Sequence, residues 1–325
     1  MIDISIIVPM HNEAVAMQTF FATLLPILDN LKRSYEILCI DDGSKDDTLH
    51  LLKDYSAANP CIKIISFSRN FGKESALTAG LQYASGAVVI PIDADLQDPP
   101  EIIPAFIEKW EAGYDVVYGI RQDRSSDSWL KKTTAQLFYG LFNRITPPEV
   151  QLDSGDYRLM TRRVVEAVLL LPERDRFMKG IFSWVGFSSI GVPYSRQKRC
   201  AGQTSWNYFN LLNFAISGIC SFSTIPLRFW SYLGVFMSFA ALLYAVFVAF
   251  KKIFYGDPVP GYPSMMVTIL FMGGIQLLSL GIIGEYLGRL SKEIKQRPLF
   301  IVSELVNLAP RSPLSPPQDR QPPRP

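Results

Sequence analysis

Five short runs of β-forming residues, each ending in a polar cluster and followed by a helical pattern, constrain this chain most. Asp3 to Val8 closes on Pro9 and leads to Asn12 and Glu13; Tyr35 to Ile40 ends in DDGS; Ile62 to Phe67 is followed by SRNFGKESALTAG. A fourth run, starting at Val88, ends in DADLQDPPE, and Val116 to Gly119 is followed by IRQDR. Alternating strands and helices predict an α/β fold with a mostly parallel sheet and helices on both faces. Ligands of such sheets bind beyond the carboxyl ends of the strands, where all five polar clusters would lie.

The fourth cluster carries the most chemistry. Continued as a strand, it would place Asp93, Asp95 and Gln97 on one face, because side chains alternate. Few oxygen ligands with room for water and phosphates suit magnesium or manganese. Asp98 reads as an N-cap, with Pro99 at the first helical position and Glu101 completing a capping box. Other site classes find little support. The only histidines are His11 and His50, and the four cysteines are scattered without CxxC spacing, as reduced thiols would be. GxGxxG is absent, and the segment before Lys73 lacks the first glycine of a P-loop. A net charge of +2 gives no bulk electrostatic case for nucleic acid.

The second half of the chain is different. Residues 207–226 are expected to form an amphipathic juxtamembrane helix lying in the interface, with a buried core helix as the alternative. Two charge-free runs follow, 229–250 and 262–284, each long enough to cross a bilayer. Arg228, Arg289, Lys292, Lys295 and Arg297 flank this hairpin, against Lys251 and Lys252 in its turn. That bias favours an N-terminal domain, residues 1–206, on the cytoplasmic side of an inner membrane. Residues 227–290 would hold the hairpin, and 291–325 a Pro-rich, largely disordered tail. Glu285 is expected to pair with a nearby Arg or Lys.

Taken together, SIIVPMHNE, DDGS, SRNFGKESALTAG, DADLQDPPE, GIRQDR, SGDYRLM and the PLR before the first span resemble the GT-A inverting glycosyltransferases of family 2. The resemblance is strongest to the polyprenyl-phosphate sugar transferases of the GtrB and dolichyl-phosphate mannose synthase type, and covers roughly residues 3–300. It implies a nucleoside diphosphate sugar as donor, glucose from UDP-glucose before mannose from GDP-mannose, and a polyprenyl phosphate lipid as acceptor. A divalent cation (Mg²⁺ or Mn²⁺) would be the cofactor. Pro9, Glu13 and Asp42 would line the nucleoside, Asp93 the ribose and metal, and Asp95 and Gln97 the metal. Arg121 and Lys132, with Arg124 and Lys131 nearby, would meet the acceptor phosphate. Asp156 would stand in the place of the base-like carboxylate, and Arg199 and Gln203 in a loop closing over the nucleotide. Ser205 stands where relatives often carry Lys or His. Self-association stays open, and a non-catalytic sugar-nucleotide-binding membrane protein is the alternative from another class.

Overall fold

In a computed structural model, described for residues 2–121, 154–195 apart from 175 and 177, parts of 230–254, and 261–310, the chain divides into two compact units. Met1–Asn213 with Arg297–Pro325 forms one, and Phe214–Gln296 the other.

The first unit is built on an eight-stranded sheet. Strands β1 (Ile4–Met10), β2 (Tyr35–Asp41), β3 (Ile62–Phe67) and β4 (Val88–Pro91) alternate with helices α1 (Ala14–Asn30), α2 (Thr48–Ala58) and α3 (Lys73–Tyr83). A 3₁₀ turn, Pro100–Ile102, leads into α4 (Ile103–Glu111). Then come β5 (Val116–Arg121), β6 (Ser154–Thr161), α5 (Arg162–Leu170), α6 (Met178–Trp184) and β7 (Ser189–Tyr194). The last strand, β8 (Val302–Val306), follows the second unit.

The strand order is β7-β5-β6-β4-β1-β2-β3-β8. The pairs β1–β2, β1–β4, β2–β3 and β5–β7 are parallel; β4–β6, β5–β6 and β3–β8 are antiparallel. The expected α/β fold is thus present, with β6 running against its neighbours. That reversal matters: the start of β6 lies beside the end of β5, with Ile120 opposite Ser154. Residues entering β6 therefore reach the edge where the parallel strands finish.

The central strands are buried on both faces, as their near-continuous Ile, Val and Leu content requires. Ile6, Val8, Ile37, Cys39, Ile64 and Ile90 pack with Phe20, Phe21, Leu24 and Phe106 in one core. A buried polar site is built into it. Glu36 accepts from Ser5 Oγ (2.6 Å), Lys63 Nζ (2.6 Å), Ser85 N–H (2.7 Å) and Ser85 Oγ (2.7 Å). Burial alone would raise its pKa, but these donors outweigh that and hold it below the ordinary carboxylate value. Cys39 is a buried free thiol and Cys61 a half-buried one, in line with reduced cysteines; Cys200 and Cys220 lie outside the described residues.

The second unit contains α7 (Tyr262–Ile294), whose apolar side chains are open: Leu277 is 72% exposed and Leu280 63%. Phe271–Ile294 is long and apolar enough to cross a membrane. Residues 230–254 are helical where described and also expose apolar groups, Val235 among them. The helix continues past Gly284, the expected end of the second span, to Ile294. Glu285 accepts from Arg289 Nε (3.0 Å) and NH2 (2.7 Å), an i,i+4 pair that carries the helix through its first charges.

Within the tail expected to be largely disordered, one stretch is ordered: the chain rejoins the sheet as β8, antiparallel to β3. V-S-E-L-V alternates in the strand period, and β3 would otherwise be an open edge. The expected amphipathic segment 207–226 lies outside the described residues.

Candidate active site

The loops after β1, β2 and β3 interlock. His11 Nδ1 lies 2.9 Å from the Asp42 carbonyl oxygen, and the Asp42 N–H donates to Met10 O (2.9 Å). The Asn12 N–H donates to Ser44 Oγ (3.0 Å), its side-chain oxygen accepts from the Lys45 N–H (2.8 Å), and the Glu13 N–H donates to Thr48 Oγ1 (2.9 Å). The backbone of Pro9 forms part of β1, level with Ile40. The Asp42 carboxylate, only 4% exposed, accepts from the N–H groups of Phe71 (2.6 Å) and Gly72 (2.9 Å). Gly43 permits this closeness. Its φ is +62°, and a Cβ would fall 2.4 Å from the Arg69 carbonyl carbon. Asp41 braces the same turn, accepting from the Ser44 N–H (3.0 Å) and from Ser66 Oγ (2.9 Å).

The acidic cluster is a turn, not a strand extension. Ladder pairing of β4 stops at Pro91, and only the Ile92 N–H still reaches Ile7 O (2.9 Å). Leu96 takes φ +56°, and Asp95 Oδ1 accepts from the Gln97 N–H (3.1 Å), an Asx-type turn. Strand alternation therefore does not decide where Asp93, Asp95 and Gln97 point. The capping box also fails. Pro99 precedes Pro100, and a residue before proline is driven to extended backbone; Pro99 has ψ 127°, so the helical turn starts one residue later. Asp98 is instead buried, accepting from the Tyr194 hydroxyl. Tyr157 donates to Pro99 O (2.9 Å) and fixes the same turn from β6.

One basic residue joins the two halves of the site, and motif reading missed it. Lys73, first residue of α3, places Nζ 2.8 Å from Asp93 Oδ2 and 3.0 Å from Asp156 Oδ2. Asp93 follows β4 and Asp156 lies near the start of β6, so the reversed strand makes this bridge feasible. Burial would lower the Lys73 pKa, but the two carboxylates outweigh it and keep the ammonium charged. Burial also raises the Asp93 carboxyl; Lys73 opposes that shift and Asp156 reinforces it. These side chains keep 43%, 38% and 24% exposure for Lys73, Asp93 and Asp156, so incoming groups can reach them. Behind them Arg158 is buried, its guanidinium 4.2 Å from the centre of the Phe182 ring. Its pKa is lowered to about 10 by burial, against the pull of Asp156. The signal for Lys73 was its place right after Gly72, at a helix start bordering the polar edge.

The oxygen donors of Asp93, Asp95 and Gln97 suit a hard cation. Among the described residues, no three His, Cys, Asp or Glu groups form a metal cage. A cation here would draw further ligands from a phosphate and water, as magnesium commonly does. Asp93 already has one positive partner, the Lys73 ammonium. The Arg121 backbone ends β5, opposite Tyr194 of β7. The Arg121 side chain and residues Arg124, Lys131, Lys132, Arg199, Gln203 and Ser205 lie outside the described residues.

The sequence model of glycosyl transferase family 2 matches residues 5–169, and that of the GtrB C-terminal hairpin matches 225–290. An uncharacterised glycosyltransferase of Synechocystis sp. is 53% identical over 307 residues, covering 94% of this chain and 96% of that protein. The SfII prophage-derived bactoprenol glucosyl transferase of Shigella flexneri is 48% identical, covering 93% and 97%. A prophage bactoprenol glucosyl transferase homolog of Escherichia coli is 47% identical, covering 93% and 99%. The first matched range holds the strands that deliver Asp42, Asp93 and Asp156.

Proposed function

The chain belongs to glycosyl transferase family 2, and from that premise we propose that it transfers glucose from UDP-glucose to a polyprenyl phosphate, inverting the anomeric centre. The observation that carries this reading is the 48% identity to a bactoprenol glucosyl transferase over 93% of the chain, hairpin included.

The donor's leaving group is a diphosphate. Asp93, Asp95 and Gln97 would hold a divalent cation (Mg²⁺ or Mn²⁺), which when bound neutralises charge on that group. Asp42, braced by the 71–72 amides, would present its outer edge to the nucleobase, with Pro9 and Glu13 beside the nucleoside. Phosphate monoesters have a second pKa near ~6, so the lipid nucleophile is already mostly ionised. Asp156 therefore has little need to remove a proton, and its ion pair with Lys73 favours an orienting role. The remaining difficulty is bringing two anions together. Arg121, Arg124, Lys131 and Lys132 would receive the acceptor phosphate, Arg in bidentate fashion and Lys as a point charge. Arg199 and Gln203 would cover the nucleotide.

The exposed apolar helix and the hairpin match support anchorage in a membrane, with the catalytic unit on the cytoplasmic side. The lipid tail then stays in the bilayer while its phosphate reaches the site, and confinement raises the effective concentration of both partners.

The test uses the full-length chain in detergent or vesicles, with UDP-glucose or GDP-mannose, polyprenyl phosphate and Mg²⁺ or Mn²⁺. Release of UDP that requires both lipid and metal is expected. Release without lipid would reject the acceptor, preference for GDP-mannose would reject the donor, and binding without turnover would favour a sensor.

A further inference from the structure

We propose that the strand which follows the apolar helix positions the nucleotide loop, with Phe300 as the positioning residue; this rests on Asp42 being a nucleoside contact. The β3–β8 ladder extends past β3, since the Ser68 N–H donates to Ile301 O (3.0 Å). Its register slips between Ser66 and Phe67. Such irregularities re-aim side chains next to functional sites. Here Ser66 Oγ reaches Asp41, and the Phe67 ring stacks on Phe300 with centroids 4.9 Å apart and planes 11° from parallel.

From Phe67 the contact passes inward. Its ring meets Phe71 edge-on at 5.8 Å and 90°. The guanidinium of Arg69 covers Phe71 at 4.1 Å, and the Phe71 N–H is bonded to Asp42 at 2.6 Å. Phe300, Phe67, Phe71 and Asp42 thus form one unbroken series. Stacked and edge-on pairs have preferred geometries, so displacing one ring disturbs the next. The far end of β8 is held by different groups. Lys53 pairs with Glu304 (2.7 Å), and the Asn307 amide donates to Ser56 Oγ (2.8 Å) and Ile62 O (3.1 Å). Strand attachment and loop support can therefore be separated by mutation. The family motifs around residues 41–44 and 68–80 give no hint of this support, because it comes from beyond the hairpin.

The experiment compares Phe300→Ala, Phe300→Leu, Phe300→Tyr and Asn307→Ala in the full-length chain. Readouts are amide exchange at Phe71 and Gly72 without ligand, UDP affinity, and steady-state constants. Loss of one ring pair should speed exchange at both amides and raise the UDP Kd and the donor KM by about two- to tenfold. The kcat at saturating donor and the acceptor KM should stay near the parent values. Phe300→Leu keeps the bulk and should share the defect, whereas Phe300→Tyr should restore the parent behaviour. Asn307→Ala should lower Tm without moving the donor KM. Unchanged Phe71 and Gly72 exchange in Phe300→Ala would overturn the proposal, as would an equal KM rise in Asn307→Ala at matched Tm loss. Faster exchange with unchanged UDP affinity would also overturn it, and would leave the glucosyl-transfer reading to its own lipid-dependence assay.

Discussion

Lys73 is the residue through which the site's charges are balanced. Two carboxylates, one in the turn after β4 and one in β6, face one ammonium, within 2.8 Å and 3.0 Å. Removing it leaves Asp93 and Asp156 in mutual repulsion and opens Asp93 to another cation. Lys73→Met should therefore tighten Mn²⁺ binding in the absence of nucleotide, read by electron paramagnetic resonance, while turnover falls about a hundredfold. Lys73→Arg should keep part of the activity. Asp95→Ala should abolish turnover at every metal concentration; near-parent rates would remove Asp95 from the proposed cation site. The residue types at this candidate site were legible in the sequence, because its acids directly follow a buried apolar strand. Their pairings were not. Which base meets which acid depends on β6 running backwards, and no local pattern around Asp156 announces that. Asp98 misled for a local reason: tandem prolines moved the helix start and left its carboxylate for Tyr194.

At the scale of elements, alternation of strand and helix gave away most of the sheet, since each buried strand is a short apolar run bounded by turn residues. Strand β8 escaped because five alternating residues beside a Pro-rich tail carry little signal without the edge they cover. Glu36, in β2, supplies the element-scale prediction. Its pKa is lowered on folding, so its contribution is present above the unfolded carboxyl value, about 4.3, and is lost as pH falls through the folded value. Tm should hold down to about pH 5 and then drop more steeply in the parent than in Glu36→Gln. Glu36→Ala leaves Lys63 and three other donor groups facing an empty position and should cost about 3 kcal/mol by urea unfolding at pH 7. The Asp98–Tyr194 bond, which ties the acidic turn to β7, should respond likewise. Tyr194→Phe is expected to lose about 1–3 kcal/mol, measured in the same way.

At the scale of the molecule, the catalytic unit is not continuous in sequence: Arg297 onward belongs with the sheet, not with the hairpin that precedes it. A chain cut after Leu227 loses β8 as well as the apolar helix. Such a fragment should melt several degrees lower than the full chain and self-associate through the bare edge of β3, by light scattering. A synthetic peptide of residues 297–310 should restore a monodisperse species and part of the lost Tm. A fragment that is stable and monomeric without the peptide would mean that β8 contributes little. The position of β8 also sets a timetable for biosynthesis. The edge of β3 emerges early, but its partner is made only after both apolar runs have been made. At roughly 5–20 residues per second, the nascent sheet waits on the order of tens of seconds with that flank uncovered. Were the hairpin to enter a bilayer during synthesis, it would do so before the sheet is complete, and a ribosome stalled at that point would hold a tethered protein still missing its final strand.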